Sequence, residues 1–260
     1  MIIAIINNKG GTGKTTTCVN LSASLASSGY RTLLVDLDSQ ASASLSLGID
    51  RNGLSPSTAH VLFGTAKVEE AIRPGDLSGL DVLPGHMELA NTDLILADVR
   101  CRERKLTESL SRVDANYDFV LLDCPPSLSM LSINALVAAD YYMVPVTPEY
   151  LALEGLVSLM NGIGRLKRGM GVAPELLGIL FTLVNPCLKM SVNIARLIRE
   201  HYGHQVFETE ISRDVKLGEA PAYGISVFDY APKSQGARTY ARLAQEMMER
   251  LKSNGKGVEA

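Results

Sequence analysis

The chain is 260 residues long, with 46% hydrophobic, 20% charged and 5% aromatic residues and a formal net charge of −3. Such a chain is large enough to bury a substantial core, and its composition excludes a disordered or collagen-like polymer. Its longest apolar runs, such as 1–6 and 141–146, fall far short of the roughly 20 residues that a membrane-spanning helix needs. No basic-plus-apolar export signal opens it either, so a cytoplasmic protein is expected.

In chain order, an apolar run at 2–7 leads into a glycine-rich turn and a segment of helical period at 16–27, with Gly29 as its stop. A second strand is predicted at 32–36, an irregular stretch at 39–79 and a third strand at 81–84. Helical periods at 105–113, 129–138, 151–168 and 192–202 then alternate with strands at 119–123, 141–146 and 177–182, with Gly169 and Gly203 as further stops. Tyr240, Leu243, Met247 and Leu251 share one stripe of a final helix at 235–251, which reads as core packing, and a polar tail follows at 253–260. Short, continuously apolar strands alternating with helices predict an α/β fold: a doubly wound, mostly parallel sheet with helices on both faces. No linker divides the chain, so one domain is expected over 1–252 with a disordered tail beyond it.

Cys18, Cys101, Cys124 and Cys187 show neither a C-x-x-C pair nor zinc spacing, which predicts reduced, mostly buried thiols. Residues 161–260 carry 14 Lys and Arg against 10 Asp and Glu, and the first 160 carry 11 against 18. The basic surplus permits an anionic partner on one face, although a surplus this small is more often just a solvated surface.

The most specific signal is Asn8-Lys9-Gly10-Gly11-Thr12-Gly13-Lys14-Thr15-Thr16, set between the first strand and the first helix. Glycines let the backbone curl its N–H groups inward around a phosphate chain. The helix N-terminus adds partial positive charge, Lys14 reaches the β and γ phosphates, and the Thr15 hydroxyl suits Mg²⁺. Two apolar strands end in carboxylates: Asp36 and Asp38, placed two apart and so on one face, and Asp123 in the Walker B arrangement. Each Asp also has the simpler reading of an ion pair at a strand end. No N-K-x-D loop for guanine follows the late strand, which continues Thr182-Leu183-Val184-Asn185-Pro186, so ATP is favoured.

With Asn8 where the standard loop has Gly, and with the additional Lys9, the motif is the deviant Walker A form K-G-G-x-G-K-T-T. On these residues the chain resembles the ParA/MinD superfamily of dimeric ATPases, and especially its ParA/Soj branch. The likeness extends through Pro145-Val146-Thr147-Pro148-Glu149-Tyr150 with Leu153-Glu154-Gly155, then Arg213-Asp214-Val215-Lys216-Leu217-Gly218-Glu219-Ala220-Pro221, and finally Tyr230-Ala231-Pro232-Lys233-Ser234-Gln235-Gly236-Ala237.

The resemblance implies an ATP-sandwiched homodimer in which Lys9 crosses to the nucleotide of the second subunit; as a bare loop lysine it would be merely solvated. It implies that Asp38 positions the attacking water, that Asp36 supports the metal and that Asp123 holds Mg²⁺, usually through water. Asn185 and the Ser212-Arg213-Asp214 turn are expected to flank the adenine. Non-specific binding of double-stranded DNA is expected at Lys189 and Lys216, with Arg213, Lys233 and Arg238 adding to the patch; a plain solvated surface is the alternative for each lysine. A ParB-like activator would stimulate a slow ATPase that segregates chromosomes or plasmids and associates with the nucleoid. The chain starts at its first strand, so the operator-binding extension of longer relatives, and with it specific repression, is not expected. Positioning of another cargo stays open. A MinD-like membrane cycle is disfavoured by the short polar tail, and an iron–sulfur role by Cys124 directly following Asp123.

Overall fold

Side chains of successive residues along each strand enter two different cores, which is why the strands read as unbroken apolar runs. In the computed structural model, which describes residues 1–171, 174–253 and 255, seven strands form one sheet. They are β1 (Ile2–Ile5), β2 (Thr32–Asp36), β3 (Arg73–Pro74), β4 (Leu80–Leu83), β5 (Phe119–Asp123), β6 (Tyr141–Val146) and β7 (Glu175–Phe181), in the order β3-β4-β2-β5-β1-β6-β7. Every pairing is parallel except β3 with β4. Six longer helices cover the sheet: α1 (Lys14–Ser27), α2 (Lys105–Leu110), α3 (Met130–Ala138), α4 (Ala152–Met170), α5 (Lys189–Tyr202) and α6 (Gln235–Ser253). Ala4, Leu33, Val35, Val120, Leu122 and Ile179 meet Leu106, Leu136, Leu159 and Ile163 on one face. Ile3, Ile5, Leu34, Leu121 and Met143 meet Leu21, Leu25 and the α6 stripe on the other.

That α6 stripe is core: Tyr240, Leu243, Met247 and Leu251 are all buried. Among the described residues no helix is long and apolar enough to cross a membrane. Three local expectations need correction. Helix α4 runs through Gly169 and stops at Gly171, whose φ of 65° supplies the left-handed turn. The two-residue antiparallel β3 at the sheet edge is too short to leave a periodic signal. The stretch 39–79 contains short helices, Ser42–Ser46, Thr58–Leu62 and Val68–Ala71, and sends Ala59, Leu62, Val68 and Ala71 into the core. All four cysteines are free, but only Cys18 and Cys124 are buried; Cys101 and Cys187 are exposed. Of the expected tail only Ser253 and Gly255 belong to the described residues.

The chain leaves β1 toward β2 on one side and leaves β5 toward β6 on the other, so the winding reverses between β1 and β5. A crevice outside the carboxyl ends of the strands at such a reversal is where doubly wound sheets bind ligands. Helix α6 is fastened to the far edge by Arg250, which stacks 4.1 Å from the Phe207 ring centroid and donates to the carbonyls of Leu177 and Val206 at 3.2 and 2.7 Å. Phe207 fits only because residue 178 is Gly: a Cβ there would lie 2.5 Å from Phe207 Cε2. Gly178→Ala is therefore expected to cost about 1–3 kcal/mol and to lower the melting temperature by several degrees in a thermal scan. An unchanged melting temperature would show that Phe207 yields freely.

Candidate active site

The glycine-rich turn sits at the β1 end of this crevice. Gly11 and Gly13 have φ of 71° and 74°, a conformation that admits glycine without strain and carries the chain straight into α1. Helix α1 begins with no side-chain cap and no acidic residue in its first turn, so its first amides remain available to an anion. Asn7 ties the loop down, donating from Nδ2 to the Pro145 carbonyl at 2.7 Å and accepting the Lys9 amide on Oδ1 at 3.0 Å. From the other side Thr182 Oγ1 donates to the Thr12 carbonyl at 2.9 Å. Lys14 is buried and its Nζ donates to the Lys9 carbonyl at 3.1 Å, spanning the loop. Burial lowers its pKa, against the charges of Asp123 and Asp38 nearby.

Asp36 and Asp123 end adjacent strands in direct register, and both are fully buried. Thr15 Oγ1 donates to Asp123 Oδ2 at 2.8 Å, whereas Asp123 Oδ1 is buried with no hydrogen-bond partner among the described residues. Burial pushes the Asp123 carboxyl well above the usual carboxylate range, and the neighbouring Asp36 pushes it further. The Thr15 and Asp123 oxygens, one of them orphaned, suit a hard divalent cation of the Mg²⁺ type, which takes one or two protein oxygens and fills its remaining positions with phosphate and water.

Asp36 is held differently. Its Oδ2 accepts the Ser44 amide and hydroxyl at 2.9 and 2.7 Å, and its Oδ1 accepts the Asp38 amide at 3.0 Å. Burial raises its pKa to about 6 in spite of those bonds. Asp38 lies past the end of β2, half-buried, with Oδ1 accepting the Gln40 amide at 2.9 Å.

Beside the loop, Gly13, Thr16, Thr182, Leu183, Val215, Leu217 and Tyr240 line a mainly apolar cavity of about 360 Å³. Asp214 and Arg213 lie on its wall. The Asp214 carboxylate is engaged with the amides of Lys216 and Gly236 at 2.9 and 2.6 Å. Asn185 lies instead in a neighbouring cleft with Pro148, Tyr150, Leu188 and Arg213, and Leu183, at the left-handed φ of 53°, lines both. A larger cavity of about 570 Å³, around Phe63, Lys67, Leu96 and Arg112, shares no residue with the loop.

Comparison with known proteins agrees with this geometry. A family profile described as an AAA domain matches residues 1–174. The chain is 42% identical over 249 residues to the chromosome-partitioning ATPase Soj of Thermus thermophilus, covering 96% of each chain. It is 39% identical over 251 residues to the chromosome partitioning protein ParA of Caulobacter vibrioides, covering 96% of this chain and 94% of the relative. This chain belongs to the ParA/Soj family. A solved structure titled cobyrinic acid a,c-diamide synthase from Mycobacterium smegmatis, with bound ATP analogue and magnesium, superposes with a TM-score of 0.85 at 32% identity over 100% of this chain and 98% of that one.

Several ParA/Soj positions singled out from the sequence are held by partners that no sequence pattern announces. The Lys9 ammonium is exposed and ion-paired with Glu149 at 2.9 Å. Lys216 is ion-paired with Glu219 at 2.8 Å. Helix α5 starts three residues before the expected 192, with Lys189 as its first residue, and Lys189 and Arg213 are exposed without an ion pair among the described residues. Sequence reading gave no site role to Asn7, Ser44, Glu149, Thr182 and Tyr240. Glu149 stands in a family signature and Tyr240 on the stripe of the final helix, whereas Asn7 is marked locally as a polar residue ending an apolar strand before glycines.

Two buried carboxyls side by side cost stability once both unfolded counterparts ionise. A folded pKa raised from 3.8 to about 6 corresponds to roughly 3 kcal/mol lost as the pH climbs through that window. Asp123→Asn is thus expected to raise the melting temperature of the nucleotide-free chain at about pH 7.5, an advantage that shrinks at about pH 5, where a proton does the work of the amide. The same variant should lose the further rise that Mg²⁺ and ATP give the wild type. Calorimetry at both pH values checks this, and no gain at the higher pH contradicts the cost assigned to the pair.

Proposed function

We propose that this chain is an ATP-driven partitioning switch: ATP and Mg²⁺ close two subunits face to face, the dimer binds DNA without sequence preference, and a ParB-like partner triggers hydrolysis and release. The observation that carries the reading is the buried oxygen pair of Thr15 and Asp123, with its orphaned carboxylate oxygen, beside an uncapped helix start and an apolar cavity of purine size. The similarity to chromosome-partitioning proteins supports chromosome or plasmid DNA as the cargo class.

In this reading the loop amides of Gly10, Gly11, Thr12 and Gly13 and the α1 N-terminus bind the phosphate chain, and Lys14 neutralises its β and γ groups. Thr15 and Asp123, supported by Asp36, hold Mg²⁺, which would draw off charge as the terminal phosphoryl leaves. Asp38, free of the tight seat that holds Asp36, orients the attacking water. The base lies in the cavity between Thr182, Leu217 and Tyr240, with Asp214 stiffening its wall and Asn185 beyond Leu183. Lys9 leaves Glu149 to reach the partner subunit's phosphates. An ion pair this exposed contributes no more than about 1 kcal/mol, so the exchange needs little driving force. Lys189, Arg213 and Lys216 meet DNA phosphates, which makes binding steeply salt-dependent and indifferent to sequence.

Lys9→Ala is expected to retain ATP binding while losing dimer closure and activator-stimulated turnover. Asp38→Ala should accumulate an ATP-bound dimer that binds DNA and does not let go. Light scattering, phosphate release and anisotropy of a random-sequence duplex with ATP, ADP or no nucleotide check both. Full stimulated turnover in Lys9→Ala, or a strictly monomeric Asp38→Ala at saturating ATP, refutes the assignments. Dimers that bind no duplex refute the DNA step.

A further inference from the structure

Of the three basic residues assigned to DNA, Lys216 is the one with an internal carboxylate on it. Glu219 Oε2 accepts from Lys216 Nζ at 2.8 Å and from the Tyr230 hydroxyl at 2.9 Å, so an ammonium and a phenol converge on a single oxygen. The phenol is held in place: its ring stacks on Tyr223 at 5.0 Å and 25°, with Lys216 Nζ 5.5 Å from its centroid. Tyr223 is 67% exposed and the whole cluster lies at the surface. Two fixed donors aimed at one anionic oxygen make a seat that a phosphate oxygen fits as well as a carboxylate does, with lysine serving as a point charge.

We propose that Glu219 is a tethered competitor for DNA phosphate: in the free subunit it fills the Lys216–Tyr230 seat, and a DNA phosphate must displace it for Lys216 to engage. This rests on the non-specific DNA reading given above. Lys216 and Glu219 stand three residues apart on the five-residue helix Val215–Glu219, so the competitor is always at hand. The pair is exposed, hence weak enough for the dense charge of a duplex to displace. Among the described residues Lys189 and Arg213 carry no such competitor, so they supply the steady part of the attraction. Glu219 sets how readily the remainder is surrendered on release.

The test is anisotropy of a labelled random-sequence duplex titrated with the full chain in ATP and Mg²⁺ at fixed salt, for wild type, Glu219→Gln, Lys216→Ala and the double variant. Light scattering alongside confirms that each variant still forms the ATP-dependent dimer. Glu219→Gln is expected to bind about 3- to 10-fold tighter, the equivalent of releasing a surface ion pair in each subunit. That gain should fall below about twofold in the Lys216→Ala background, because the released ammonium is gone. An undiminished gain there would mean a general charge effect and overturn the proposal. Equal or weaker binding by Glu219→Gln would mean that Glu219 orients Lys216 for DNA, and would overturn it too. Dimers of every variant that bind no duplex would overturn the DNA reading itself, and the proposal with it.

Discussion

The side-by-side burial of Asp36 and Asp123 is the constraint around which the crevice is arranged. A parallel sheet covered on both faces has no room for charge except at its strand ends, and here two carboxyls share one end at adjacent positions. The surrounding chain answers each differently. Asp36 is saturated by Ser44 and the Asp38 amide, which turns it into an anchor for the segment leaving β2. Asp123 is left with one oxygen on Thr15 and one without a hydrogen-bond partner among the described residues. Desolvation leaves that second oxygen with an unmet demand, and a cation meets it better than a neutral donor would. In the proposed metal role of Thr15 and Asp123, that unmet demand would be the source of the affinity for the cation.

Lys14 belongs to the same arrangement. Its ammonium is buried within the field of Asp123 and Asp38 and bonded to a loop carbonyl, so it balances part of the negative charge while remaining tied to the loop. The loop needs that tie because its glycines confer no rigidity of their own. Asn7 and Thr182 fasten it to the ends of β6 and β7, which fixes the curl proposed to receive phosphate. Preorganisation of this kind spares the ligand the cost of ordering the loop.

Much of this was legible in the sequence because it rests on local rules. Unbroken apolar runs announce strands buried on both faces, and all six predicted strands appear, three with their expected bounds and three with ends displaced by one or two residues. The loop announces itself because a backbone that curls around phosphate needs glycine at Gly11 and Gly13. What stayed hidden depends on tertiary approach. Nothing near Ser44 says that it will meet Asp36, and nothing in 39–79 shows that Ala59, Leu62, Val68 and Ala71 will help close the core. The cavity beside the loop draws on Thr182, Leu217 and Tyr240, far apart in the chain, and Asn185 lies across Leu183 in the adjoining cleft. Gly169 was a plausible stop, yet the helix ends where the left-handed turn forms, two residues on.

The lysines extend the argument from folding to switching. Lys9 and Lys216, both assigned to anions outside their own subunit, are each paired with a glutamate of the same chain, Glu149 and Glu219. A free cation would bind nucleotide or DNA indiscriminately, and a buried pair would cost several kcal/mol to open. An exposed pair lies between these limits. It satisfies the cation at rest, yields to a denser anion, and recaptures the cation once that anion is removed. Reversibility then needs no large rearrangement of the fold, since each step exchanges one weak carboxylate contact for one phosphate contact. In the proposed switch a net charge of −3 works in the same direction, because a chain of net negative charge would hold DNA only while two subunits present their basic faces together.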